Sequence, residues 1–407
     1  MPDPLTGRYD VLLYVQHLLG IGHVRRAAVL ARAFQRSGMK VVLVTGGLPV
    51  KGLGLEEIEA VQLPPARSRD ETFAVILDEN DQPIDDAWKA RRRALLLDVY
   101  RRCRPRVVMT ELYPFGRRKM RFELEPLIDA ARSEDPSVLI ACSLRDIVNR
   151  PECDKKAAWM VDRFTRQFDL LFVHGDPAFY RLEDSFPECT VMAERLHYTG
   201  YVTEAGRVAD RVRAGDRARA RDGTADPDQP GSGEVIVSAG GGAVGNALLR
   251  AALAARPLSP LSDASWRLLI GPNLPETEFR ALSRAAPAGV IVERARPDFA
   301  ELLTRARLSI SQGGYNTVME ILAAGLPGVV VPFAGGSETE QTHRAKVLAE
   351  HGLIAVVDEA GLTPDNLAEG IASALALGNA DHRFRLSLDG AEETSRYLIA
   401  KLEEQAA

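Results

Sequence analysis

SISQGGYNTVMEILAAGLPGVVVPFAGGSETEQTHR, residues 309–344, reads as a strand, a glycine turn, a helix, a second strand and a polar loop. The strand runs out at Gln312-Gly313-Gly314 and a helix is expected to begin near Asn316-Thr317. Gly, Asn and Thr at that junction present backbone N–H groups and side-chain donors to an anion at a helix N-terminus. Glu320 lies four residues past Asn316 on the same helical side, where a carboxylate accepts hydrogen bonds from ribose hydroxyls. Gly325 and Pro327 close the helix in the manner of a glycine stop. The next strand, Gly328–Val331, ends at Pro332-Phe333, and the loop after it carries Glu338, Glu340 and Gln341. Such groups converge at the carboxyl ends of neighbouring strands, where open α/β sheets bind ligands.

Moving outward from this stretch, apolar runs of strand length alternate with helical periodicity. Expected strands are Asp10–Val15, Lys40–Thr45, Ile58–Leu63, Arg106–Thr110, Val138–Cys142, Leu170–Val173 and His197–Thr199. A second set follows: Val235–Ser238, Trp266–Ile270, Val290–Val292, Leu308–Ile310, Gly328–Val331 and Ala355–Val357. Helical patterns at Val24–Ser37, Ala87–Cys103 and Met120–Arg132 lie between them. Short β-branched runs alternating with amphipathic helices indicate parallel sheets covered on both faces. The fold class is therefore α/β with two Rossmann-like domains. The boundaries expected are 1–202 for the first domain, 203–234 for a flexible low-complexity linker, and 235–380 for the second domain. A final helix, roughly 383–406, either caps the second domain or crosses back to the first. The linker rests on Arg211–Glu234, RVRAGDRARARDGTADPDQPGSGE, which holds almost no large apolar residue.

The chain has 407 residues, 46% hydrophobic and 26% charged, enough apolar material for two cores. A net charge of -5 disfavours nucleic acid as a partner, because phosphate binding needs a basic footprint. Cys103, Cys142, Cys153 and Cys189 lack C-x-x-C spacing and read as idle thiols in a reducing compartment. With neither a signal-peptide pattern nor an apolar run of spanning length, the expected location is the cytoplasm.

Further groups stand at the ends of expected strands. Gly20-Ile21-Gly22-His23 joins the first strand to a helix, and Arg25 occupies the place of a dinucleotide fingerprint's third glycine, which disfavours NAD. His23 at a helix start has its pKa lowered by the dipole, as a general base requires, although a capping histidine would look the same. Gly240-Gly241-Gly242 suits close passage of a phosphate or sugar, or simply a turn. Glu111 and Asp146 follow strands and could orient His23 or bind acceptor hydroxyls; ordinary surface loop carboxylates are the competing reading. Arg91–Arg93, Arg101, Arg102, Arg104, Arg106, Arg117, Arg118, Lys119 and Arg121 concentrate positive charge in the first half. They read either as a field that steers an anionic acceptor or a phospholipid surface, or as solvated helix faces balanced by acids. Arg117–Lys119, after the Pro114-Phe115-Gly116 turn, are the favoured contacts. Asp226-Pro227-Asp228 fits D-x-D only formally, so no metal site is expected.

Gly313-Gly314-Tyr315-Asn316-Thr317, Glu320, Gly325-Leu326-Pro327, Val331-Pro332-Phe333 and Glu340-Gln341 together resemble the donor-site signature of family 28 glycosyltransferases. That bacterial family includes the N-acetylglucosaminyltransferase that forms lipid II. The resemblance covers most of 235–371 and implies a GT-B fold, with two facing domains and a cleft between them. It implies that Gln312, Gly313, Gly314, Asn316 and Thr317 face a diphosphate, and that Glu320 holds the ribose. Glu340 and Gln341 would touch the sugar, Arg296 and Phe299 would flank the base, and Gly240, Gly241 and Gly242 would line the cleft. His23 would be the base, assisted by Glu111 or Asp146, with Gly20, Gly22, Arg117 and Arg118 on the acceptor side. The implied activity is an inverting, metal-independent hexosyl transfer from a nucleotide sugar, with uridine as base. No cofactor is expected. The implied partners are that sugar and a hydroxyl acceptor (small molecule, glycan or lipid-linked), with peripheral membrane contact through the basic first-domain surface. A nucleotide-sugar 2-epimerase and a non-catalytic nucleotide-sugar-binding protein are the alternatives.

Overall fold

The computed structural model describes residues 5, 7–70, 73–148, 150–151, 153–221, 229–239, 245–271, 274–333, 340–378 and 386–405, with 217–221 and 378 described by backbone alone. Residues 1–202 and 389–407 form one compact unit and 203–388 a second.

The first unit carries strands β1 (Val11–Val15), β2 (Val41–Thr45), β3 (Glu59–Gln62), β4 (Arg67–Ser68), β5 (Ile76–Leu77), β6 (Val107–Glu111), β7 (Leu139–Arg145), β8 (Leu170–His174) and β9 (Leu196–Tyr198). Between them run helices α1 (Gly22–Arg36), α2 (Asp86–Cys103), α3 (Arg121–Glu134), α4 (Asp154–Gln167) and α5 (Leu182–Ser185). The sheet order is β3-β2-β1-β6-β7-β8-β9, and every pair in it is parallel. Strands β4 and β5 form a small antiparallel pair apart.

Strand β1 shows why an unbroken apolar run suits this position. Leu12 and Tyr14 join a core with Trp88, Leu96 and Val99 of α2, while Val11, Leu13 and Val15 join another with Val24, Leu30 and Phe34 of α1. Alternate residues face opposite sides, so a strand covered on both must be apolar throughout.

The second unit repeats the design. It opens with α6 (Ala205–Arg221) and continues through β10 (Val235–Ser238), α7 (Asn246–Ala255), β11 (Trp266–Ile270), α8 (Glu276–Ala285), β12 (Val290–Arg294), α9 (Phe299–Arg305), β13 (Leu308–Ser311), α10 (Tyr315–Ala324), β14 (Gly328–Val330), α11 (Glu340–Glu350), β15 (Ala355–Val356) and α12 (Pro364–Gly378). Its parallel order is β12-β11-β10-β13-β14-β15. Both sheets are wound outward from a central pair, β1/β6 and β10/β13, and strand order reverses there. The carboxyl ends of those pairs are the binding positions of doubly wound sheets.

The chain then returns to the first unit. Val202 bridges Asp389, and α13 (Gly390–Glu404) lays Ala391, Leu398 and Leu402 into the α1 core. Gly390 permits that return: a Cβ there would lie 2.2 Å from the Gly200 carbonyl oxygen.

Two sequence expectations need correction. The part of the expected linker up to Arg221 is helix α6, not a loop. Ala205, Ala209 and Val212 bury a narrow stripe, and Arg213 donates to the carbonyls of Ala323 and Ala324 at 3.2 and 2.7 Å. Small residues on one face, backed by Arg and Ala as strong helix formers, suffice where large apolar residues are missing. The basic cluster is likewise not one surface. Arg92 is wholly buried, Arg101 pairs with Glu134 at 2.9 Å, and Arg118 sits 4.9 Å over the Trp159 ring.

Candidate functional site

In the first unit, β1 and β6 end side by side. Their carboxyl ends bring the start of α1, with His23, to Glu111, the last residue of β6. His23 Nδ1 lies 2.9 Å from Glu111 Oε1. Arg26, one turn on, donates to the same oxygen. Glu111 is completely buried, so the surface-loop reading of this carboxylate is wrong: β6 extends one residue beyond its expected end and seals the side chain. The His23 side chain keeps 17% of its surface accessible, and its Nε2 has no hydrogen-bond partner among the described residues.

Burial draws the His23 pKa down to about 4, because a desolvated imidazolium is disfavoured. Glu111 opposes that shift, and the nearby charges of Arg117 and Arg145 add to it. Burial also pushes Glu111 upward, but His23, Arg26 and Arg117 outweigh it and hold the carboxyl far below its usual range. The result is a neutral imidazole with one nitrogen held by an ionised carboxylate and the other open. That arrangement suits a general base.

Asp146, the other expected helper, is 1% exposed and makes no hydrogen bond to His23. It packs beneath Gly175, where a Cβ would approach the Asp146 Cβ to 2.9 Å. Gly20, in the turn before α1, and Gly22, the first residue of α1, are exposed, and open space surrounds Gly20. Arg118 turns to Trp159, whereas Arg117 turns inward, its Nε donating to the Gln16 carbonyl at 2.5 Å.

Sequence reading missed the groups that hold this edge. Arg92 Nε donates to Glu123 Oε2 at 2.7 Å, and its other nitrogens reach the carbonyls of Gly46 and Pro64, the Tyr14 hydroxyl and the Gln16 amide oxygen. His174, buried at the end of β8, lies between Ser143 Oγ at 2.8 Å and Thr199 Oγ1 at 2.9 Å, and burial draws its pKa to about 3. Arg26 had a usable signal, since it stands three residues past His23 on one helix face. Polar residues ending otherwise apolar strands, Gln16, Arg145 and His174, were a second.

In the second unit, Gln312–Gly314 turns β13 into α10. A Cβ on Gly313 would meet Val330 Cγ1 at 3.2 Å and Gln341 at 3.4 Å, while Gly314 faces open space. No side chain caps α10, and the N–H groups of Asn316 and Thr317 have no backbone partner among the described residues. This is an anion-competent helix start at the sheet's reversal point. Glu320 is partly buried one turn further on. Gly325 ends the helix at φ 64°, as the sequence stop implied.

Gln341 Oε1 accepts from the Phe333 N–H at 3.3 Å, beside Gly313. Glu340 is 4% exposed and pairs with Arg344 at 2.6 Å, so its carboxylate is already engaged. Arg296 chelates Asp298 at 2.8 and 2.7 Å, and Phe299 packs on the core of Ile236, Leu302 and Ile321. Gly240, Gly241 and Gly242 lie outside the described residues, as do Glu338 and Asp226–Asp228.

Two Rossmann-like domains of this design define the GT-B class of fold. The chain resembles Acinetobacter baumannii MurG with a TM-score of 0.57 at 15% identity, over 96% of this chain and 99% of that one. It resembles the UDP-GlcNAc 2-epimerase of Methanocaldococcus jannaschii at 0.59 and 11%, over 96% and 99%. Within that class, residues 235–384 match the model of the glycosyltransferase family 28 C-terminal domain. The UDP-N-acetylglucosamine--N-acetylmuramyl-(pentapeptide) pyrophosphoryl-undecaprenol N-acetylglucosamine transferase of an Exiguobacterium species is 32% identical over 143 residues, 35% of this chain and 39% of that enzyme. The match thus spans well under half of that relative's length.

Proposed function

We propose that this protein is a glycosyltransferase that moves a hexosyl group from a nucleotide sugar, with UDP as carrier, to an acceptor hydroxyl with inversion. The observation that carries the reading is the His23–Glu111 pair at 2.9 Å, in a chain whose residues 235–384 match the family 28 C-terminal domain. His23 Nε2 takes the hydroxyl proton and Glu111 steadies the imidazolium that forms. The acceptor oxygen attacks the anomeric carbon from the face opposite the nucleotide, and the bond to the diphosphate breaks. The N–H groups of Asn316 and Thr317 stabilise the departing charge, and Glu320 holds the ribose. Gln341, more than the engaged Glu340, contacts the sugar. Helix-terminal stabilisation of this kind needs no divalent ion, so activity is expected to survive EDTA.

The test is transfer from UDP-hexoses, with His23→Ala beside the unsubstituted protein. We expect kcat to fall about 10²–10⁴-fold, while thermal stabilisation by the donor is kept. Unchanged turnover in His23→Ala would remove the base. Epimerised donor appearing without any acceptor would replace the transferase reading with the 2-epimerase one.

A further inference from the structure

One oxygen of Glu111 serves two donors and the other serves none. His23 Nδ1 lies 2.9 Å from Glu111 Oε1, and Arg26 Nη2 donates to that same atom. Glu111 Oε2 is buried with no hydrogen-bond partner among the described residues. An arginine and a carboxylate usually meet as a two-pronged fork that uses both oxygens. Here the guanidinium is drawn to the oxygen that faces the imidazole, and a buried acceptor is left unpaired, which is unfavourable. Arg26 is 3% exposed and Glu111 fully buried, so water and salt do little to screen their charges from His23.

Arg26 follows His23 by three residues, so both stand on one face of α1. That helix has no side-chain cap and no acidic residue in its first turn, and the carboxylate its N-terminus favours comes from the end of β6. The other titratable groups facing the assembly are Arg117, Arg145 and Cys142 of β7, and His174 of β8. Strand β2 carries none, Tyr14 of β1 turns to Glu123 on the opposite side, and Arg25 of α1 is exposed. From α13, Glu392 pairs with Arg36 at the far end of α1. Before proton transfer Arg26 cancels the charge of Glu111, and neutral His23 adds nothing. A histidine and a carboxylate alone would start out negative and would hold a proton more firmly.

We propose that Arg26 is a positioning residue for the base: it fixes Glu111 Oε1 on the Nδ1 side of His23, and its charge keeps Nε2 empty until the acceptor hydroxyl delivers a proton. The proton on Nδ1 stays there, shared with Glu111, while the transferred one goes to Nε2. The part played by the acceptor rests on the transferase reading; the hold of Arg26 on the imidazole does not.

The experiment follows the imidazole ¹H–¹⁵N signals of the full-length protein through an acid titration. In Arg26→Gln the His23 midpoint is expected to rise by about one to two pH units, because a neighbouring positive charge is gone, and in Arg26→Lys by less than half as much. The glutamine amide still donates to a carboxylate, so the difference between the two variants reads charge and not a lost contact. A His23 midpoint that stays in place or falls in Arg26→Gln overturns the proposal. Should Arg26→Gln fail to fold, the unsubstituted protein decides: the Arg26 guanidinium ¹⁵N signals are expected to titrate with the His23 midpoint, and signals that ignore it overturn the proposal. A parallel assay records kcat/KM for transfer against pH. Its acid limb should move up with the His23 midpoint in Arg26→Gln and return in Arg26→Lys, a change that a loss of stability alone would not produce. Transfer with an unmoved limb defeats this inference alone; a moved midpoint in a protein that transfers to no hydroxyl defeats the transferase reading alone.

Discussion

With its pKa near 4, His23 stays unprotonated far below the usual imidazole value of 6.5. The acid limb of kcat/KM is therefore expected near pH 4, measured as a pH–rate profile of the free enzyme. Stability carries the same signature. Between pH 6.5 and 4 the unfolded chain binds protons that native His23 and His174 refuse, so their neutral burial supports folding fully above 6.5 and progressively less as pH falls. Glu111, held low by its cations, acts in the same direction below its ordinary value. Urea midpoints should drop between pH 7 and 4, and His174→Asn should flatten that slope. Glu123→Gln is expected to cost about 3–5 kcal/mol in denaturant unfolding, because it strands Arg92 in the core. Replacing both members by Leu and Met should not recover that loss, because the Gly46 and Pro64 carbonyls and the Gln16 amide oxygen would then be left unpaired. The sequence exposed His23 through its glycine turn but hid Glu111's role. A carboxylate at a strand end reads the same whether the strand stops before it or after it, and that one residue decides burial.

Among elements, α10 was legible in full and α6 was not. Gly313-Gly314 before the helix and Gly325 after it are local signals, independent of what the helix packs on. Gly325→Ala should lower second-unit stability by about 1 kcal/mol, since φ 64° suits glycine and disfavours a Cβ. Differential scanning calorimetry would register it. Helix α6 has no such punctuation. Its stripe of Ala205, Ala209 and Val212 gains meaning only once α9 and α10 are present to cover it. Composition counted those small residues as too little apolar surface for a core, but a helix lying on other helices needs only a narrow seam. All thirteen expected strands appear within a few residues of their expected ends; in central strands such as β1, β2, β6, β10 and β11 two-sided burial writes itself into sequence as continuous apolar runs. The β4–β5 pair escaped, being two residues per strand with no periodicity to read.

For the whole molecule, the decisive feature is the crossing of α13. Leu398 is fully buried against α1, so Leu398→Ala should cost about 2–5 kcal/mol in the first unit. Two resolved thermal transitions, only one of them lowered, would check this. Because residues 203–388 are interposed, the first unit is assembled from segments far apart in sequence. At about 5–20 residues per second, the ribosome takes on the order of ten to forty seconds to traverse that insertion. Throughout that interval Val24, Leu30 and Phe34 lack their α13 partners, leaving a greasy groove in a nascent chain. A folding helper that shields α1 until α13 arrives would therefore raise yield.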